Sequence, residues 1–244
     1  MQKSDLIKLI QKYHLDGTCD KVKWEVKDKE LRINFQSDDM SMKGSLITNI
    51  DLVDGEFGIA EASKLLAFLG ALEGDLTVDY YFEKNKITGI QIEDSSIKAK
   101  YNVSELDPKI TPEIKVFRPD SEHPLLQKDP EWGIEIAPTK ELLAKFNKAK
   151  TAMKDEKSVT FIRDGENLNF VIGYSSEYNS SKITIPFKAK FNLDPEIIAF
   201  SADSLTSIFS NNSDFRECKI NVMQSLTTMM VEFKNEDCEV KYYL

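Results

Sequence analysis

The stretch TKELLAKFNKAKTAMK (139–154), followed by SVTFIR (158–163), Asp164-Gly165 and NLNFVIG (167–173), decides how the chain is read. In its first part Leu142, Phe146, Ala149 and Met153 recur at helical spacing and form one narrow apolar stripe. Lys140, Lys148 and Lys154 project from the opposite side. Lys145 and Lys150 flank the stripe, where their stems can lie on apolar surface with the charge in solvent. Five lysines against Glu141 give this segment +4, in a chain whose net charge is −9. The second part reads as two strands about a turn. A lone lysine-rich helix is ordinarily a solvated surface helix. The rest of the chain decides whether this one faces a polyanion.

The same order of elements stands earlier in the chain. Ser4 reads as the N-cap of a helix over Asp5–His14, with Leu6, Ile7, Ile10 and Tyr13 inward and Lys8, Gln11 and Lys12 opposite. Val22, Trp24 and Val26 alternate with charged residues, and Leu31, Ile33 and Phe35 share one face of the next strand. Leu46–Ile50 and Phe57–Ala60 are further strands. The latter leads into a helix over Ala62–Leu72, with Leu65, Leu66, Phe68, Leu69 and Leu72 inward and Ser63, Lys64, Ala67 and Ala71 outward. Leu76–Phe82, Ile87–Ile92 and Ile97–Val103 close the first half. The second half continues with Ile183–Phe187, Ile197–Phe200, a helix over Ala202–Phe209, then Lys219–Val222, Met229–Phe233 and Cys238–Tyr243.

Register supports a duplication. Leu31/Ile33 align with Leu168/Phe170, Ile59-Ala60 with Ala199-Phe200, and Ile97–Lys100 with Val240–Tyr243, with a small drift that loop insertions produce. The reading is an α+β chain of two similar domains, each with two helices over antiparallel sheet. The boundaries are 1–104 and 133–244, joined by a connector over 105–132. Ser104–Trp132 holds five of the eight prolines, which exclude helix and central strand and imply an extended course. Phe117, Leu125, Leu126 and Trp132 are apolar enough to pin it to a surface.

Charge is unevenly placed. Lys3–His14 carries +2, and together with the +4 segment that leaves −15 for the remainder. Twenty-eight of the 32 basic residues are lysines; the four arginines, Arg32, Arg118, Arg163 and Arg216, fall outside the predicted helices. Arginine reads guanine edges and clamps phosphate, whereas lysine is a mobile point charge. Such helices would contact DNA loosely and without regard to sequence.

Other classes find little support. There is no GxSxG, Gly-rich phosphate loop or HExxH, so an enzyme is not expected. With His14 and His123 as the two histidines, no His-rich metal site can form, and no cofactor is expected. Cys19, Cys218 and Cys238 are odd in number and widely spaced, consistent with core thiols in a reducing compartment. The N-terminal stretch lacks the apolar run of a signal peptide, and the longest apolar run, Leu65–Leu72, is too short to span a bilayer. A cytoplasmic protein with no membrane partner is expected.

The stretch FGIAEASKLLAFLGAL (57–72) is similar to the first-half strand and helix of phage DNA polymerase sliding clamps. The terminal VKYYL (240–244) is similar to the last strand of the cellular clamps. The chain therefore resembles sliding clamps of the proliferating cell nuclear antigen type, nearest their phage branch. That resemblance implies a head-to-tail homotrimeric ring. Its helices would line a hole around duplex DNA, with a polymerase and a clamp loader as partners. It implies a host bacterial cytoplasm for a phage protein. DNA-facing candidates are Lys8, Lys12, Lys64, Lys140, Lys145, Lys148, Lys150 and Lys154, beside the small polar faces of Ser63, Ala67, Ser204 and Ser207. An edge near Ile97–Val103 would pair with one near Lys182–Phe187 of the next subunit. Tyr243 and Leu126 would line a pocket for partner peptides. The long connector and the chain's stop at Leu244 depart from the cellular pattern. A monomeric DNA-binding processivity or scaffold protein, held by charge and not by closure, is the alternative.

Overall fold

The computed structural model describes residues 2–73, 76–84, 86–103, 114–175, 181–193, 197–225 and 228–244. The chain divides into two compact units: Met1–Leu125 with Asp237–Val240, and Leu126–Glu236 with Lys241–Leu244.

Unit 1 opens with α1 (Lys3–His14) and a 3₁₀ turn at Leu15–Gly17. Four strands follow: β1 (Val22–Lys27), β2 (Glu30–Gln36), β3 (Lys43–Asn49) and β4 (Gly55–Ile59). Then come α2 (Ala62–Ala71) and a second sheet, β5 (Thr77–Glu83), β6 (Lys86–Glu93) and β7 (Lys98–Asn102). The strand orders are β4-β1-β2-β3 and β5-β6-β7, antiparallel throughout.

Unit 2 opens with β8 (Trp132–Ile136) and α3 (Lys140–Ala152). It continues with β9 (Ser158–Asp164), β10 (Asn167–Ile172), β11 (Ile183–Phe191), β12 (Ile198–Ser201) and α4 (Ala202–Asn211). It closes with β13 (Glu217–Met223), β14 (Met229–Lys234) and the second half of β15 (Cys238–Tyr243), whose first three residues belong to unit 1. The order β12-β9-β10-β11 repeats that of β4-β1-β2-β3.

Pairing register shows the duplication in detail. Ile33 pairs with Trp24 on one side and Leu46 on the other; Phe170 pairs with Phe161 and Ile185. Ile59 pairs with Val22, and Phe200 with Val159, so Ile59 corresponds to Phe200 and not to Ala199. The sequence alignment is one residue out at that strand. Side chains alternate with period two, so a one-residue slip exchanges the two faces.

The core of unit 2 is aromatic. Phe161 stacks on Phe170 at 3.9 Å and Phe187 on Phe170 at 4.1 Å, while Phe146 of α3 meets Phe170 and Phe209 edge-on. In unit 1, Tyr13 of α1 stands edge-on to Trp24, which also meets Phe57. Helix α3 packs against α4 and β11, and α1 against α2.

Several local expectations are corrected. Helix α1 begins at Lys3, so Ser4 lies inside it; Gln2 precedes it without a side-chain cap. Its buried face is Leu6, Leu9, Ile10, Lys12, Tyr13 and His14, with Ile7 half-buried. The apolar stripe of α3 is Leu143, Phe146 and Ala149, with Leu143 buried and Leu142 half-exposed. No strand is expected from the sequence at β8, which begins where the proline-rich connector ends, although Ile134 and Ile136 alternate with Glu135. Pro108 and Pro112, with the rest of 104–113, lie outside the described residues. The remainder of the connector is not extended: Phe117 and Arg118 both donate backbone N–H to the Pro124 carbonyl. Leu125 is fully buried and Lys43 donates to its carbonyl at 2.6 Å.

Candidate nucleic-acid interface

The helices carry the charges on which a polyanion could rest, so each lysine is placed in turn. Lys8 is exposed on α1, Lys64 on α2, and Lys140, Lys145 and Lys148 on α3, with Lys154 exposed just beyond α3. Thr139 caps α3, accepting from the Leu142 N–H at 3.4 Å. The outward face of α3 therefore starts one turn earlier than its apolar stripe. Lys140 lies over the Phe215 ring at 5.3 Å, and Lys64 pairs with Glu61 at 3.1 Å. Among the described residues, none of the four helices holds an arginine.

Two of the proposed lysines lie elsewhere. Lys12 is 5% exposed and Lys150 6%. Lys150 Nζ pairs with Asp203 of α4 and donates to the Lys154 carbonyl, both at 2.8 Å. Lys3 Nζ donates to the Leu72 carbonyl. On α1, Asp5 and Lys8 are then the fully exposed charges, close to balance. On α3, Lys140, Lys145 and Lys148 outweigh Glu141. The basic surface belongs mainly to unit 2. Helical periodicity could not find this, because it does not reveal which face a second helix covers.

The same tie between helices recurs in unit 1 with different chemistry. His14, the last residue of α1, places Nε2 3.0 Å from Ser63 Oγ and 3.4 Å from Asp20 Oδ1. Asp20 Oδ1 accepts from both the N–H and the hydroxyl of Ser63 at 2.7 Å, capping α2 from a separate loop. Neither Asp20 nor Asp203 carries a local sequence signal for its distant partner. Asp203's carboxyl is held below its usual value, first by the hydrogen bond from Lys150 and also by Lys157.

The partner-pocket candidates differ in exposure. Leu126 is half-buried in the connector. Tyr243 is 3% exposed and Tyr242 fully buried, so neither tyrosine of the pair is surface-exposed. Tyr242 accepts from Asn212 Nδ2 at 2.7 Å. Unit 2 has a concavity of about 550 Å³ where β11 leaves β8, lined by Glu135, Glu166, Lys188, Lys190, Lys219 and neighbours. It includes neither Leu126 nor Tyr243.

Candidate edges for subunit pairing are present. β7 ends its sheet at one side. In β11, Ile183–Lys188 pair with β10, whereas Ala189–Phe191 alone pair with β8. Cys19 and Cys218 are free, buried thiols. No described helix is long and apolar enough to cross a membrane.

No protein-family model matches the chain, and no curated protein matches it. Among solved structures it is similar to the crystal structure of Proliferating Cellular Nuclear Antigen from Entamoeba histolytica. The TM-score is 0.70 at 13% sequence identity, over 100% of this chain and 95% of that one. The fold is the α+β clamp fold, with four helices and antiparallel sheets.

Proposed function

We propose that this protein is a sliding clamp: a non-enzymatic processivity factor that encircles duplex DNA and tethers a polymerase. The observation that carries the reading is the likeness to a nuclear antigen of this type over the whole chain, joined to exposed lysines on the helices of both units. Three copies close head-to-tail, pairing the β7 edge of one subunit with the Ile183–Phe187 edge of the next. Lys8, Lys64, Lys140, Lys145, Lys148 and Lys154 face DNA, and a clamp loader opens the ring. Clients bind near Leu126 and Tyr243. The similarity of residues 57–72 to phage clamps favours a phage replisome in a bacterial cytoplasm.

Lysine without arginine suits this task. A clamp must touch phosphate without being held at any base sequence. Retention then comes from topology, and salt has little hold on it.

The test loads the protein onto nicked circular DNA and raises the salt. A ring stays until the circle is linearised. A monomer held by charge dissociates steeply as salt rises, on either DNA form. Equal retention on circular and linear DNA rejects the ring. A solution mass near three times 27.8 kDa supports it, and a monomer favours the electrostatic scaffold.

A further inference from the structure

In unit 2, β8 stands between β11 and β13. Its Glu135 pairs with Lys190 on one side and Asn221 on the other. Beside it, Ile220 and Val222 of β13 are fully buried. The counterpart of β13 in unit 1 is β5: each follows the second helix of its unit and opens a hairpin. No described strand pairs with the outer side of β5.

The consequence is visible in burial. Val78 and Tyr80 pair with the buried Ile92 and Ile90, so they take the inward positions of β5. Yet both are half-exposed, unlike Ile220 and Val222. Further along, Tyr81 and Phe82 are 38% and 54% exposed. An open edge of this kind is a template for an added strand.

Charge chooses the occupant. Matching Leu46 to Ile185 puts Asp51 at the position of Lys190, and Asp79 is the outward residue between Val78 and Tyr80. Asp51 is 89% exposed at its side chain and meets Lys29 at 3.3 Å. The Tyr80 hydroxyl is pushed up to about 12, chiefly by burial, with the Asp51 charge adding to it. Where Glu135 sits between a lysine and an asparagine, the open lane is bordered by two aspartates. Pairing of β5 with a second copy of itself about Tyr81 would oppose Asp79 to Glu83 twice, which disfavours it. A bulge at Tyr81/Phe82 ends the regular ladder, leaving Thr77–Tyr81, the same length as β8.

We propose that β5 receives an extended segment of a partner protein, laid antiparallel along Thr77–Tyr81. Its apolar side chains cover Val78 and Tyr80, and a lysine or arginine sits between Asp51 and Asp79. Main-chain hydrogen bonds supply the attachment and the cation supplies the selectivity. This inference does not depend on ring closure or on DNA.

The probe is a peptide of residues 129–137, DPEWGIEIA, carrying Glu131→Lys and Glu135→Lys, compared with the unsubstituted peptide. Affinity is read by calorimetry, and the docking site by amide hydrogen exchange on the full chain. The lysine peptide is expected to protect alternate amides of Thr77–Tyr81 and to bind about fivefold more tightly per charge pair. Asp79→Lys, an exposed change on an edge strand, should reverse the preference. The proposal is overturned if neither peptide protects β5, or if protection falls on β7 instead. Protection of β5 that grows with protein concentration, without peptide, assigns the edge to a second copy and also overturns it.

Discussion

Lys150 Nζ lies 2.8 Å from Asp203 Oδ1 and ties α3 to α4. The lysine side chain is 7% exposed and the aspartate 50%, so the ion pair sits at the lip of the helix interface. Lys157 meets the other carboxylate oxygen at 3.3 Å. A lysine that looks like a DNA contact in the sequence is a structural strut.

Lys150→Met keeps the aliphatic stem and removes the cation. The expected loss is about 1 kcal/mol, since Asp203 remains partly hydrated. Chemical denaturation measures it, and DNA retention should not change. A variant of unchanged stability that loses DNA retention would return Lys150 to the interface.

The same pair sets an acid limit. Asp203's carboxyl is lowered from 3.8, first by the hydrogen bond from Lys150. A depressed folded value stabilises the protein above the unfolded value of about 3.9, and the benefit is lost as pH falls through the lowered one. Denaturation followed from about pH 6 to about pH 2 should show a shallower acid decline in Lys150→Met than in the parent.

Lys145→Glu with Lys148→Glu reverses two exposed charges on α3. Surface changes of this kind alter stability by about 0.5 kcal/mol or less. Processive synthesis and loading onto DNA should fall, with the thermal transition preserved. Undiminished processivity in the folded variant would place α3 away from DNA.

Asp20 caps α2 from outside the helix. Asp20→Ala leaves the Ser63 N–H without its 2.7 Å acceptor and should cost about 1 kcal/mol. Asp20→Asn keeps an acceptor and should recover most of that loss. If both variants lose stability equally, the charge beside His14 matters more than the cap.

Phe146 is fully buried between Phe170 and Phe209. Phe146→Ala should destabilise unit 2 by about 3–5 kcal/mol through lost transfer energy and a residual cavity. Exchange protection of β9–β11 reports it directly; native-like protection there would mean that α3 contributes little to this core.

By itself the sequence determined the strand faces, the duplicated order of elements and the preference for lysine. Leu31, Ile33 and Phe35 are fully buried as their alternation requires, because period-two patterning records which face of a strand meets the core. The tertiary structure decided what lies across each element. It buried Lys12 and Lys150, turned Leu143 in place of Leu142 toward the core, and shifted Ile59 to match Phe200. It also formed a strand, β8, at Trp132–Ile136, where the sequence reading names none. The reason is common to all four. Local periodicity encodes the apolarity of a face, whereas burial and pairing depend on partners distant in the chain.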